Sequence, residues 1–191
     1  GAAHAIKIKQ QTGLDGDAPR SSSPIVLCSL GDASMTEGEV SEALQVAALH
    51  QLPILYLVQD NRWGISVTAS EARSMDAVEF AAGFKGLHAE RIDGTDFEAC
   101  YHRLGDIIKS MRQHPQPVLV QASVPLLGHH TSGVRREFYR SREDMLKHGL
   151  YDPLPKLRLL LTDVGIAEHI ISDIEKQAEE KVLTDFQRAQ L

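Results

Sequence analysis

Two short apolar runs with one amphipathic segment between them constrain the fold of this chain more than any other feature. Pro24-Ile25-Val26-Leu27-Cys28-Ser29-Leu30 is bounded by serines and by Gly31, and Ile54-Leu55-Tyr56-Leu57-Val58 follows Pro53. Unbroken apolar runs of this length suit strands covered on both faces, the condition of a parallel sheet. Between them Val40, Ala43, Leu44, Ala47 and Ala48 recur at i, i+3, i+4, i+7 and i+8, which is one face of a helix. Thr36 and Glu39 fit a capping box and predict where that helix starts. The unit is strand, loop, helix, strand, with a right-handed crossover the default.

The rest of the chain continues in the same style. His88-Ala89-Glu90-Arg91-Ile92-Asp93 predicts an edge-like strand, and Thr95 with Glu98 offers a second capping box. The helix after it is expected to gather Phe97, Tyr101, Leu104, Ile108 and Met111 on one face. Pro117-Val118-Leu119-Val120-Gln121-Ala122 is a third apolar strand. The expected class is α/β, a mostly parallel sheet flanked by helices. Gln11 to Ser23, rich in Gly, Ser and Asp, reads as a flexible loop. The character changes after Asp152-Pro153. Leu154 to Leu161 is short and apolar, and Ala167, Ile170, Ile171, Ile174, Ala178, Val182 and Phe186 mark an amphipathic helix that needs a partner surface. The expected domains are 1–152 and a helical extension, 153–191, packing on the same domain or on a partner.

Ligands of open parallel sheets bind at the carboxyl ends of the strands. Asp32 and Asn61 follow the first two apolar runs and so fall there. A carboxylate and an amide oxygen suit a hard divalent cation, which shares its remaining positions with phosphate and water. A helix start just beyond Asp32 would add N–H donors and a positive dipole end for an anion. Alone, Asp32 reads as a helix cap and Asn61 as a turn residue; together, on consecutive strand ends, they favour a metal–diphosphate site.

Three segments then carry a family resemblance: Gly31-Asp32-Ala33-Ser34-Met35-Thr36-Glu37-Gly38-Glu39, Val58-Gln59-Asp60-Asn61-Arg62-Trp63-Gly64-Ile65-Ser66, and Gly128-His129-His130-Thr131-Ser132 running to Tyr139-Arg140-Ser141. Their order and spacing over roughly Ser21 to Asp152 resemble the α-chain portion of the thiamine-diphosphate-dependent 2-oxo acid dehydrogenases. The likeness is greatest to the fused α–β, branched-chain-like form. The resemblance implies a thiamine-diphosphate-binding fold with thiamine diphosphate and Mg2+ as cofactors. It implies Asp32, Asn61 and the Trp63 carbonyl as metal ligands, with Ala33, Ser34, Ile65 and His130 also at the cofactor. His130 is the implied catalytic residue, assisting acyl transfer to a lipoyl group, and imidazole suits that work because it titrates near neutrality. Tyr139 and Arg140 are implied to order the His130 loop. The implied reaction is oxidative decarboxylation of a 2-oxo acid, branched-chain favoured (2-oxoisovalerate, for example). The implied partners are a β portion of the same enzyme and a lipoyl-bearing transacylase, in a homo- or hetero-oligomer.

Departures from the family pattern are specific. Ala33 stands where the motif has its second Gly, and Asp60 where it has the first Asn. An extra acid near a diphosphate is unfavourable unless it points away or is paired. Gly133-Val134-Arg135-Arg136 replaces an acidic pair, which bears on how the loop is ordered and on any phosphorylation of Thr131. A zinc reading of His129-His130 lacks further ligands at suitable spacing. A structural role is expected for His129, and Glu37 and Glu42 are expected to serve helix-start electrostatics.

The 191 residues suffice for one domain with a sizeable core, and a net charge of -6 argues against a nucleic-acid partner. Cys28 and Cys100 read as buried thiols of a reducing compartment, and with no membrane span or signal pattern expected, the cytoplasm is the expected location. Gly1 to Ile6 resembles the middle of a helix. This chain alone, supplying the diphosphate half of a two-domain site, is expected to bind cofactor weakly and turn over little. Two alternatives stay open: a transketolase- or synthase-type thiamine enzyme, and a non-catalytic α/β module that binds a diphosphate.

Overall fold

The computed structural model describes residues 1–14 and 23–190. It divides into two compact units, Gly1–Asp152 and Pro153–Leu191.

In the first unit, α1 (Ala2–Thr12) is closed by Gly13 in the left-handed conformation. The helix takes in Gln11 and Thr12, which the sequence assigned to a loop; most of the remainder of that stretch, 15–22, lies outside the described residues. Then come β1 (Val26–Gly31), a 3-10 turn over Asp32–Thr36, α2 (Gly38–His50) and β2 (Ile54–Asp60). A two-residue hairpin, β3 (Trp63–Gly64) and β4 (Val67–Thr68), leads to the short helices α3 (Ala69–Ala72) and α4 (Ala77–Ala81). β5 (His88–Asp93), α5 (Phe97–Gln113) and β6 (Val118–Ser123) complete the sheet, and α6 (Arg142–Gly149) follows a long loop.

The sheet order is β1-β2-β6-β5, every pairing parallel. The two inner strands are the apolar ones. Five of the six residues of β6 are buried, whereas the outer strands β1 and β5 contain no buried residue and tolerate Ser29, Glu90 and Arg91. The edge placement expected for His88–Asp93 is the one observed. One core cluster joins Leu44 and Ala47 of α2 to Tyr56, Val58, Leu119 and Ala81; the other sets Ile107 and Met111 of α5 against Leu55, Val118 and Val120.

Both expected capping boxes are corrected. Thr36 Oγ1 donates to the Ala33 carbonyl (2.9 Å), inside the 3-10 turn, and Glu37 is the N-cap of α2 without a side-chain bond. At α5 the cap is Asp96, which accepts from Ala99 N (2.9 Å), while Thr95 is drawn back to Asp93 Oδ1. The apolar face of α5 is also shifted. Ile107 and Met111 are buried, but Phe97 and Tyr101 are 55% and 69% exposed, stacked on each other at the surface. Ala43 likewise lies outside the buried face of α2. Cys28 and Cys100 are free and half-buried rather than buried.

The second unit comprises α7 (Pro153–Asp163) and α8 (Glu168–Ala189), with Gly165 at φ 88° between them. Arg158 forks to Glu168 and Glu175 and ties the two helices together. Ile174, Val182 and Phe186 of α8 are exposed. Among the described residues no helix is long and apolar enough to cross a membrane.

Candidate cation and diphosphate site

Register decides which groups meet at the carboxyl edge. Gly31 stands opposite Gln59, so the next residues along the two neighbouring strands are Asp32 and Asp60. Asp32 is 2% exposed and Asp60 6% exposed. Two carboxylates side by side in a dry site repel unless a cation lies between them. Arg73, which follows α3, is that cation: its Nη1 donates to Asp32 Oδ2 (2.5 Å) and its Nη2 to Asp60 Oδ1 (3.0 Å). Burial pushes the Asp32 carboxyl above the usual carboxylate range; the Asp60 charge works the same way and Arg73 opposes both.

Asp60 is further held by Gln121 Nε2 (2.6 Å) and by the Arg62 N–H (3.1 Å). The extra acid of the second motif is thus both paired and anchored. Arg73 gave no signal in the sequence, because its partners lie 41 and 13 residues away.

Asn61 comes one residue later and is half-buried. Its Oδ1 accepts from Trp63 N (2.9 Å), an Asx turn that turns the chain into the β3–β4 hairpin. This hairpin is strained. Arg62 and Ile65 have φ of 65° and 57°, a region unfavourable for any side chain and most for a β-branched one. Such outliers cluster at functional sites, where surrounding structure holds them. Ala33 in the 3-10 turn approaches the hairpin closely: a Cβ added to Gly64 would stand 2.8 Å from the Ala33 methyl. Ser34 is half-buried in the same turn.

The third segment reaches the hairpin through its aromatic and cationic residues. Tyr139 lies against the Trp63 ring (centroids 5.6 Å), and the Arg140 guanidinium stands over that ring at 5.4 Å. Arg140 is anchored to Leu126 O (2.8 Å) and Asp144 Oδ2 (2.6 Å), and Arg136 donates to Leu127 O. These two arginines pin the start of the loop to its end. Between them His129 Nδ1 accepts from Arg136 N (3.3 Å) and Thr131 Oγ1 from Val134 N (3.2 Å). His130 is exposed on this loop, and among the described residues no hydrogen bond ties its ring to Asp32 or Asn61.

Beside Asn61 and Trp63, across the ends of β2, β6 and β5, opens a cleft of about 910 Å³ lined also by Asp60, Asp93, Gln121 and His148. Glu37 and Glu42 are exposed outside it. Among the described residues no three His, Cys, Asp or Glu side chains form a metal cluster.

The chain is 33% identical over 142 residues to the 3-methyl-2-oxobutanoate dehydrogenase subunit alpha of Mycobacterium tuberculosis (strain CDC 1551 / Oshkosh), covering 74% of this chain and 39% of that protein. It is 28% identical over 189 residues to the mitochondrial 2-oxoisovalerate dehydrogenase subunit alpha of Mus musculus (97% and 43%). It is 28% identical over 161 residues to the pyruvate dehydrogenase E1 component subunit alpha of Rickettsia typhi (82% and 49%). The chain thus spans less than half the length of these relatives. Residues 1–191 match the family model described as dehydrogenase E1 component, and the chain belongs to that family.

Proposed function

We propose that this chain is the α-chain part of a 2-oxo acid dehydrogenase, the metal–diphosphate half of a thiamine-diphosphate site. Branched-chain substrates such as 2-oxoisovalerate are favoured. The observation that carries the reading is the placement of Asp32 and Asn61 just past the ends of adjacent parallel strands. The donor set fits Mg2+: one buried carboxylate, one amide oxygen and one main-chain carbonyl leave positions for diphosphate oxygens and water. Asp32, Asn61 and the Trp63 carbonyl would hold the ion. Ala33 and Ser34 would border the diphosphate, and Ile65 the cofactor beyond it.

Thiamine diphosphate supplies the electron sink through which a 2-oxo acid loses carbon dioxide. The chain's own residues bind, orient and move protons around it. Mg2+ held by Asp32, Asn61 and the Trp63 carbonyl would supply anchoring charge for the diphosphate rather than an activated water. His130 would deliver a proton to the sulfur released when the lipoyl disulfide is opened and reduced as it takes the acyl group, and Arg136 and Arg140 fix the loop that presents it. The branched-chain preference rests on the Gly128-His129-His130 segment and on the names of the Mycobacterium and mouse relatives.

Residues 1–152 would form the diphosphate domain and 153–191 a helical extension that packs on it or on a partner. A β portion would complete the cofactor site and a lipoyl-bearing transacylase would take the acyl group, within an oligomer. Two free cysteines fit a reducing compartment such as the cytoplasm.

Calorimetric titration of the full-length protein with thiamine diphosphate tests this reading. Binding should require Mg2+ and fall at least tenfold in Asp32→Ala and in Asn61→Ala. Equal affinity for ADP, or binding indifferent to both substitutions, would contradict it.

A further inference from the structure

The Arg73 pairing raises a question of exchange. Asp32, the only carboxylate among the three proposed ligands, has Arg73 as the one cationic donor to its side chain among the described residues. Asp60 would keep two others, Gln121 Nε2 and Arg62 N, if the guanidinium left. The three charged side chains are 3%, 6% and 9% exposed, so the guanidinium fills the space beside the Asp32 oxygens that a cation would need. A divalent ion cannot share that space with a buried guanidinium without strong repulsion. Arg73 follows the one-turn helix α3, whose start is fixed by the Thr68–Glu71 capping box, and its backbone is extended (φ -148°, ψ 147°) where the chain leaves the helix.

Building on the metal-site reading above, we infer that Arg73 is a built-in stand-in for the metal. It neutralises Asp32 and Asp60 when no divalent ion is bound and is displaced from Asp32 when the ion arrives with its diphosphate. Metal loading is then an exchange of one cation for another, which makes the site a poor ligand for metal alone. The diphosphate supplies the anionic oxygens that turn the exchange in favour of the ion. Arg73 acts here as a positioning residue that sets the order of loading.

Mn2+ titrated into the full-length protein, freed of metal by chelation and followed by electron paramagnetic resonance, tests this without any turnover. Without thiamine diphosphate, Arg73→Met should bind Mn2+ at least tenfold more tightly than the unsubstituted protein. Arg73→Lys, which keeps one charge but loses the two-armed bridge, should fall between them and stands in if Arg73→Met fails to fold. Arg103→Met, which removes a guanidinium of α5 paired with Glu90 of β5, should change nothing. Equal or weaker Mn2+ binding in Arg73→Met, while thiamine diphosphate still brings Mn2+ to Asp32, overturns the inference and leaves the metal-site reading intact. Loss of thiamine diphosphate binding in Arg73→Met with no gain for Mn2+ also overturns it and makes Arg73 a diphosphate ligand. If Mn2+ binding with the cofactor present is the same in Asp32→Ala as in the unsubstituted protein, the metal-site reading itself fails.

Discussion

Arg140 holds Trp63 from above: its guanidinium carbon is 5.4 Å from the ring centre, and its Nε and Nη1 are spent on Asp144 and on the Leu126 carbonyl. The strand-end hairpin and the loop bearing His130 are therefore joined through one fully buried side chain. Truncating it leaves a carbonyl and a carboxylate without their donor. Arg140→Ala is expected to lower unfolding stability by about 3 kcal/mol. Arg140→Lys should recover little, because a lysine can neither fork to both acceptors nor lie flat on the indole. Urea denaturation of the two variants checks this.

Ala33 and Gly64 share one small space. A methyl added at Gly64 would come within 2.8 Å of the Ala33 Cβ, so Gly64→Ala should cost about 1–3 kcal/mol through overpacking. Ala33→Gly in the same chain should restore most of that loss. A double-mutant cycle by denaturation would show a coupling of about 1 kcal/mol or more; additive effects would contradict the contact.

Ile65 holds φ at 57° with its side chain 44% exposed. A β-branched residue gains nothing there that offsets about 1–2 kcal/mol of left-handed strain. Ile65→Asn is expected to raise the melting temperature by a few degrees and to weaken thiamine diphosphate binding, because the strained residue is proposed to contact the cofactor. Calorimetric scanning and titration read the two effects separately.

His148 provides a pH signature. Burial, helped by the Arg140 charge, lowers its pKa, while Asp144 opposes the shift. Its Nδ1 accepts from Leu126 N (2.9 Å), a bond that only the neutral ring can make. A depressed pKa means that the unfolded chain binds the proton more readily. The stabilisation is therefore whole above the ordinary imidazole value of about 6.5 and is lost as pH falls through the folded value. Unfolding free energies measured from pH 7.5 to 5 should fall less in His148→Gln, which keeps an acceptor but does not titrate.

The sheet was legible because its inner strands are apolar without interruption, and the strand ends followed from that. Leu119 and Val120 could lie nowhere but inside. The helix starts differ for a local reason: the Thr36 and Thr95 hydroxyls donate into their own turns, to Ala33 O and Asp93 Oδ1, and the helices begin one residue later, with Glu37 and Asp96 as N-caps. At α5 the apolar residues do share one stripe, but only the second half of the helix packs on the sheet, with Ile107 and Met111 buried, and its start, with Phe97 and Tyr101, stays exposed. The Arg73 bridge was beyond reach, since nothing local marks an arginine whose partners are fixed only by strand register. The Arg136 and Arg140 staples were half visible: Arg140 was expected to order the loop and its i,i+4 partner Asp144 stands in the sequence, but the Leu126 and Leu127 carbonyls that accept from the two arginines carry no sequence signature.

Carbon dioxide release by the full-length protein assembled with its β portion tests the central claim most directly. The assay supplies thiamine diphosphate and Mg2+, and presents 2-oxoisovalerate, 2-oxoisocaproate and pyruvate separately. Release should require the cofactor, favour the branched-chain acids and fall by at least two orders of magnitude in Asp32→Ala. A folded protein that binds the cofactor yet releases nothing from any 2-oxo acid would contradict the account and point to a transketolase-type enzyme.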